Sequence, residues 1–202
     1  KIYDAKAGYF LASIPQFAQD ISFSDDGRKL IGGYQHNVWQ ADIATGQMGW
    51  ATTRETDAKF SELRYSSDQK FVLIGDNAGY LNKYDAQTGE FVSKSKVADD
   101  YISDMDVNQF GRVLVGTRKG ELFVGQDQNL NGFTLIETLP NPVTIVQFTK
   151  NGSGFRVLTK NGEVLKGITG ALQNSMKIVN RKETGLESSY NLSLNHDQSE
   201  MI

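Results

Sequence analysis

The sequence predicts an all-β fold built from a repeated four-stranded antiparallel sheet. Two series of landmarks recur along the 202 residues with a shared period: an apolar alternation that ends in a polar turn, and a turn that begins with Asp and ends with Gly. Within each period the hydrophobic rhythm is two, and the apolar segments are short and rich in Val, Ile, Phe and Tyr. This pattern is typical of strands rather than helices.

The first series places equivalent inward residues about 42 positions apart. Its copies are DISFSDDGRKLIGG (20–33), SELRYSSDQKFVLIG (61–75), SDMDVNQFGRVLVG (103–116), TIVQFTKNGSGFRVLT (144–159) and NLSLNHDQSEMI (191–202). Their second inward residues are Phe23, Tyr65, Val107, Phe148 and Leu194. A regular period in this range indicates a repeat architecture in which each unit packs against the next.

The second series consists of the turns that follow the third strand of each unit. They are Asp4–Gly8, Asp42–Gly46, Asp85–Gly89 and an enlarged version, Asp127–Gly132. With both series in register, residues 61–96 contain four strands joined by short turns with Gly, Asn or Asp where the backbone needs a positive φ. One such sheet in about 40 residues is the blade of a β-propeller.

We therefore predict a single propeller segment with blades at about 20–53, 61–96, 102–138 and 143–180. Residues 1–14 and 190–202 each supply half a blade, and the turn that would join them is absent between Ile202 and Lys1. We expect part of a seven-bladed ring that belongs to a larger chain or assembly. The residues predicted to be buried between blades are Phe23, Leu30, Tyr65, Val72, Val107, Leu114, Phe148 and Val157.

The units resemble two propeller families. Strand order and the aromatic-Asp pairs Tyr3-Asp4 and Tyr84-Asp85 resemble WD repeats, although the Gly-His pair of those repeats is absent. The segment DIATGQMGW, which ends at Trp50, is similar to the tryptophan-docking repeat of quinoprotein-like propellers. The equivalent of Trp50 in the next unit is Ser93. Both resemblances imply a fold and carry over no particular activity.

Composition argues against several classes of function. The net charge is −3, with −3 in residues 1–100 and 0 in residues 101–202, so neither half has the basic character of a nucleic-acid or anionic-membrane surface. The chain has no Cys, which removes disulfides, thiolate nucleophiles and Cys-ligated zinc. No apolar run is long enough to insert in a membrane. We expect a soluble protein, with the cytoplasm favoured.

Few residues suggest catalysis, and we predict no catalytic residue, cofactor or metal. His36 and His196 lie in different turns without a second ligand at metal spacing. Asp104 and Asp106 share one face of a first strand, where a polar side chain more often joins neighbouring blades than performs acid or base catalysis. The loop Asp127–Gly132 has part of a calcium-loop pattern, but Glu137 stands one position too early to close it.

The predicted function is a non-enzymatic scaffold that binds another protein or peptide, with no nucleic-acid partner. The alternatives are an enzymatic or quinoprotein-like propeller with a cofactor or ligand in its channel, and a purely structural module. Loops after the second and fourth strands share one rim of the predicted disc and vary most in sequence, as recognition surfaces do. The candidate partner-binding residues on this rim are Tyr34, His36, Asp76, Asn77, Tyr101, Arg118, Lys119 and Lys160.

Overall fold

The computed structural model describes residues 1–54, 57–170 and 176–183. In this part of the chain all regular structure is β-strand. The strands are β1 (Ile2–Tyr3), β2 (Phe10–Ala12), β3 (Asp20–Phe23), β4 (Lys29–Tyr34), β5 (Asn37–Asp42), β6 (Met48–Thr53), β7 (Phe60–Tyr65), β8 (Phe71–Asp76), β9 (Tyr80–Asp85), β10 (Phe91–Lys96), β11 (Ile102–Val107), β12 (Arg112–Thr117), β13 (Glu121–Gln126), β14 (Thr134–Thr138), β15 (Val143–Phe148), β16 (Gly154–Thr159), β17 (Glu163–Thr169) and β18 (Met176–Glu183).

These strands form five antiparallel sheets in which each strand pairs with its neighbour in sequence. We call them sheet I (β1–β2), sheet II (β3–β6), sheet III (β7–β10), sheet IV (β11–β14) and sheet V (β15–β18). The fold class predicted from the sequence, four-stranded antiparallel blades in an all-β chain, is confirmed. The number of blades in a closed ring stays a prediction, and the predicted half blade at 190–202 lies outside the described residues.

Hydrophobic side chains between consecutive sheets form the core. One cluster joins sheets II and III around Leu63 and Ile74, a second joins III and IV around Met105, and a third joins IV and V around Phe148 and Phe155. The first strands β3, β7, β11 and β15 lie next to one another in series. They therefore form the inner edge of the stack, where a propeller has its channel.

Burial follows the repeat with two exceptions. Leu30, Tyr65, Val72, Leu114, Phe148 and Val157 are buried as predicted. The prediction is wrong for Phe23, which is 56% exposed, and Val107 is only half-buried. Phe23 belongs to the face of sheet II that is turned toward sheet I, and sheet I has only two short strands. No first or second strand covers Phe23 among the described residues.

The turns gather on two opposite edges of the stack. The upper rim consists of the turns between second and third strands and the segments between sheets. Backbone bonds tie these together, as when Arg118 N–H donates to Tyr101 O at 3.2 Å. The lower rim consists of the remaining turns, and there Ala86 N–H donates to Lys70 O at 2.8 Å. The two groups of loops that we expected to share a rim do lie together.

A tryptophan fastens sheet II to sheet III on the outer side. Trp50 Nε1 donates a hydrogen bond to Ala86 O at 2.9 Å, and Gln40 Nε2 donates to the same oxygen at 2.8 Å. The indole also covers Gly89, where a Cβ atom would lie 2.6 Å from the Trp50 ring. Trp50 therefore docks on the Asp85–Gly89 turn of the next sheet and has a structural role.

Candidate protein-interaction surface

The second position of the equivalent upper-rim turns has a different side chain in each sheet. This position is Gln35 in sheet II, Asn77 in sheet III, Arg118 in sheet IV and Lys160 in sheet V, and all four are exposed. In the last three turns its backbone N–H donates to a carbonyl of the preceding inter-sheet segment, at 3.0 Å from Asn77 and 2.8 Å from Lys160. The backbone at this position is held in place while the side chain varies. The side chain at this position is positively charged only in sheets IV and V.

Arg118 is ordered by an aromatic neighbour. Its guanidinium carbon lies 3.7 Å from the centroid of the Tyr101 ring, the distance of a stacked cation–π contact. The next residue is also held, since Lys119 N–H donates to Asp100 Oδ2 at 2.6 Å and its Nζ donates to Asp99 O at 3.2 Å. Three residues predicted to bind a partner thus form one connected group on a rigid edge.

A cavity of about 400 Å³ opens beside this group, at the upper end of the inner edge. It brings together Tyr101, Arg118 and Lys160 from the predicted set. The residues that line it are Glu62, Tyr101, Ser103, Arg118, Pro142, Val143, Thr144 and Lys160. We missed Glu62, Ser103 and Thr144 from the sequence, although the repeat register places all three near the start of a first strand.

Tyr34 and His36 belong to a separate part of the rim, on sheet II. Tyr34 is 41% exposed, and its ring centroid is 6.1 Å from that of Phe17. His36 is partly buried, and its backbone oxygen accepts a hydrogen bond from Arg54 N–H at 2.7 Å. These two residues do not line the cavity beside Arg118.

Asp76 differs from the other candidates because it is buried, with an exposure of 2%. Its Oδ1 accepts hydrogen bonds from Ala78 N–H and Tyr80 N–H at 3.0 and 2.9 Å. Its Oδ2 lies 3.2 Å from Nη2 of the buried Arg54. Asp76 therefore anchors its own turn, whereas its neighbour Asn77 is exposed and uses Oδ1 to accept from Lys59 N–H at 2.8 Å.

Carboxylates on the inner edge connect consecutive sheets. Asp20 Oδ2 accepts a hydrogen bond from Leu63 N–H at 3.1 Å, and Asp104 Oδ2 accepts one from Val146 N–H at 2.7 Å. Asp106 Oδ2 likewise accepts one from Phe148 N–H at 2.7 Å. The interpretation of Asp104 and Asp106 as residues that join neighbouring blades agrees with these contacts.

Arg64 balances part of the negative charge on this edge. Its guanidinium contacts Asp20 Oδ2 at 2.9 Å, Asp104 Oδ1 at 3.2 Å and Glu62 Oε2 at 3.7 Å. Burial, with the nearby charges of Asp104 and Asp20, nevertheless raises the pKa of Glu62 far above its ordinary value. Burial also raises the pKa of Asp104, and Arg64 opposes that shift. These carboxyls therefore release their protons at a higher pH in the folded chain than they would in water.

Three oxygens of the calcium-like loop accept hydrogen bonds from sheet III. Asp127 is fully buried, and its Oδ2 accepts a hydrogen bond from Ser67 N–H in sheet III at 2.6 Å. The Lys83 ammonium group donates to Asp127 O at 2.9 Å and to Gln128 O at 3.3 Å. In the described ranges no group of three or more His, Asp or Glu residues could hold a metal ion. His196 lies outside them.

Two comparisons with known proteins bear on this architecture. Residues 34–109 match the family described as the anaphase-promoting complex subunit 4 WD40 domain. The eukaryotic translation initiation factor 3 subunit I of Lodderomyces elongisporus is 31% identical to this chain over an alignment of 94 residues, and the match covers 39% of this chain and 27% of that protein. The chain thus matches little more than a quarter of that relative's length.

Together with the four-stranded sheets, these matches support a WD-repeat-like propeller fold. The family match spans sheet III with parts of sheets II and IV, and each match covers less than half of the chain. For residues 1–54, 57–170 and 176–183, the structure contains no helix that is long and apolar enough to cross a membrane.

Proposed function

We propose that this chain is a non-enzymatic scaffold that binds another protein or peptide through its upper rim. The observation that carries the proposal is the stacked pair Tyr101–Arg118 at the border of a cavity of about 400 Å³. Tyr and Arg are enriched among residues that dominate binding energy, and a side chain that is already ordered loses little entropy when a partner binds.

The two comparisons support an interaction role. The names of the matched family and of the relative each describe a subunit of a larger assembly. WD40 domains are generally scaffolds without catalytic activity, and we infer the same kind of role for this chain. By analogy, we propose that it acts within a protein complex.

An enzymatic propeller with a channel-bound cofactor is the alternative. It would need polar groups on the inner edge that are available to a ligand. Asp20, Asp104 and Asp106 instead accept backbone hydrogen bonds from the next sheet, and Arg64 spans two of them. We infer that these residues hold sheets together, which favours the scaffold.

Alanine variants of both rims test the proposal. Complexes recovered with the tagged full chain would provide the partner, and its affinity would then be measured for Tyr34→Ala, Arg118→Ala and, as a lower-rim control, Arg28→Ala. We expect Tyr34→Ala or Arg118→Ala to weaken the complex by about 1 to 4 kcal/mol. Arg28, whose side chain is 82% exposed, should tolerate the change. Losses confined to the lower rim would overturn the assignment.

A further inference from the structure

Two cations of equivalent upper-rim turns line the same cavity. Among the four equivalent turn positions, Gln35 and Asn77 are neutral, whereas Arg118 and Lys160 are cations. Both cations line the cavity of about 400 Å³ to which sheets III, IV and V contribute. A chain with a net charge of −3 thus presents two neighbouring cations at the mouth of its inner edge, which favours an anionic group as the occupant.

The Arg118 side chain is preorganised to bind an anionic group. Its backbone N–H is bonded to Tyr101 O at 3.2 Å, and its guanidinium plane is held 3.7 Å from the Tyr101 ring centroid. None of the ion pairs formed within the described residues involves Arg118. A guanidinium group stacked on an aromatic ring still presents its N–H edge, and this edge matches the two oxygens of a carboxylate.

The remaining walls suggest what accompanies the anion. Ser103 Oγ donates to Gly116 O at 3.1 Å, and Thr144 Oγ1 donates to Leu158 O at 3.0 Å. Because these bonds use the one proton of each hydroxyl, each oxygen can still accept a hydrogen bond from a ligand. Both oxygens suit the backbone N–H groups of an extended peptide.

Glu62 does not oppose an anion in this cavity. The pKa of its carboxyl is raised by burial and by the neighbouring Asp104 and Asp20. Because this shift keeps a proton on Glu62 at neutral pH, its carboxyl adds no negative charge to the wall that Arg118 and Lys160 share.

We propose that this cavity recognises a Glu or Asp side chain of a partner peptide, with Arg118 forming a bidentate ion pair and Lys160 contributing a second positive charge. This inference rests on the proposed function and specifies the chemistry of the partner. An acidic residue on an extended strand pairs its carboxylate with Arg118, and the backbone N–H groups of that strand donate to the Ser103 and Thr144 oxygens.

Titration of the full chain with short peptides tests the inference by NMR. The probes are acetyl-Gly-Ser-Glu-Ser-Gly-amide and the same peptide with Gln or phosphoserine in place of Glu. We expect the Glu peptide to shift the signals of Arg118 and Gly120 and to bind at least tenfold more tightly than the Gln peptide. Arg118→Gln should remove this preference and Lys160→Gln should reduce it, while the lower-rim control Arg28→Gln should leave it unchanged.

Three results would overturn the inference. They are equal affinity for the Glu and Gln peptides, an unchanged preference in Arg118→Gln, and tighter binding of the phosphoserine peptide by tenfold or more, which would assign the cavity to phosphate. Unchanged amide signals away from the cavity establish that the variants are folded. If the rim variants weaken the natural complex while the peptides show no acidic preference, the scaffold proposal stands and only this inference fails.

Discussion

At the residue scale, acidic side chains on the inner edge act as links between sheets. Asp20 and Asp104 occupy the same position of the repeat, and each accepts the backbone N–H two residues before the landmark apolar residue of the next sheet. Glu62 occupies this position in sheet III, where it instead faces Arg64. A backbone donor on the inner edge has no ladder partner, so a carboxylate from the preceding sheet satisfies it.

We predict that removing one link destabilises the chain more than removing a surface charge. Asp106→Ala should lower the free energy of unfolding by about 2 kcal/mol, because Phe148 N–H loses its acceptor in a buried setting. Asp106→Asn keeps an acceptor oxygen and should cost less than about 1 kcal/mol. Urea unfolding of both variants measures the difference.

The matched control is Asp99→Ala, since Asp99 pairs only at the surface, with Lys96 at 3.4 Å, and its side chain is 94% exposed. Exposed pairs contribute less than about 1 kcal/mol. An equal cost for Asp99→Ala and Asp106→Ala would contradict the role of Asp106 as a link.

A second prediction concerns pH. Glu62 faces Asp20, Asp104 and Arg64, and its raised pKa means that the folded chain keeps a proton that the unfolded chain releases above about pH 4.5. The free energy of unfolding therefore falls as the pH rises from 5 to 8. Glu62→Gln has no proton to lose, so its stability should fall less steeply, with a gain over the unmodified chain of about 1 kcal/mol or more at pH 8.

Thermal unfolding between pH 5 and 8 checks this prediction, with the exposed Glu90→Gln as control. Because burial raises the pKa of Asp104 too, the slope should be reduced in Glu62→Gln and not abolished. Parallel pH profiles for the unmodified chain and Glu62→Gln would refute the prediction.

At the element scale, the two rims are built from turns of different kinds. Lower-rim turns repeat one solution: Asp42 Oδ1 and Asp85 Oδ1 each accept the N–H of the Thr three residues later, at 2.9 and 2.8 Å. Upper-rim turns are anchored by different residues, such as Asp76 in sheet III and Thr117 in sheet IV, whose Oγ1 accepts Glu121 N–H at 3.1 Å. The anchor has the same position in both turns although its residue type differs, and the residue that follows it varies too.

This division explains which site residues could be predicted. Arg118 and Lys160, which line the cavity, were predicted as candidates because they follow a turn anchor in a variable loop. Asp76 was predicted to lie on the binding surface but is buried. The residue type alone does not show that its oxygens accept hydrogen bonds from the buried side chains of Arg54 and Asn82. Glu62 and Thr144 were missed because they belong to strands, and only the stacking of three sheets brings them to one cavity.

We expect alanine to destabilise the chain more at Gly120, in an upper-rim turn, than at Gly27, in a lower-rim turn. Gly120 has a φ of +85°, and a Cβ there would overlap Leu139 O, whereas Gly27 has a φ of +66° and open space around it. Gly27→Ala should cost about 1 kcal/mol for the left-handed backbone alone. Gly120→Ala should cost about 2 kcal/mol more, since the segment between sheets IV and V must move.

Chemical denaturation of the two glycine variants gives both costs. If they are equal, the close approach of Gly120 to Leu139 does not contribute to stability, and the rigidity that we assign to the upper rim loses its support.

At the scale of the whole molecule, the repeat predicted more than any single residue. The period of about 42 residues gave the strand order and the inward faces, because each sheet buries the same positions against its neighbour. It failed at Phe23 because a periodic pattern assumes a complete neighbour for every sheet. The sequence of sheet II does not determine whether a complete sheet packs against Phe23, because this depends on strands from other parts of the fold.

The same reasoning gives a matched pair of variants at one repeat position. Phe23 and Phe148 are equivalent residues of sheets II and V, but Phe23 is 56% exposed and Phe148 is 4% exposed. Removing a buried phenyl ring costs about 3 to 5 kcal/mol, whereas removing an exposed one costs little. We therefore expect Phe148→Ala to unfold the stack around sheets IV and V at much lower urea, and Phe23→Ala to change the free energy of unfolding by less than about 1 kcal/mol. Comparable losses in the two variants would mean that the Phe23 face of sheet II is covered in solution, and this face would then belong to the core in the same way as the faces of sheets III to V.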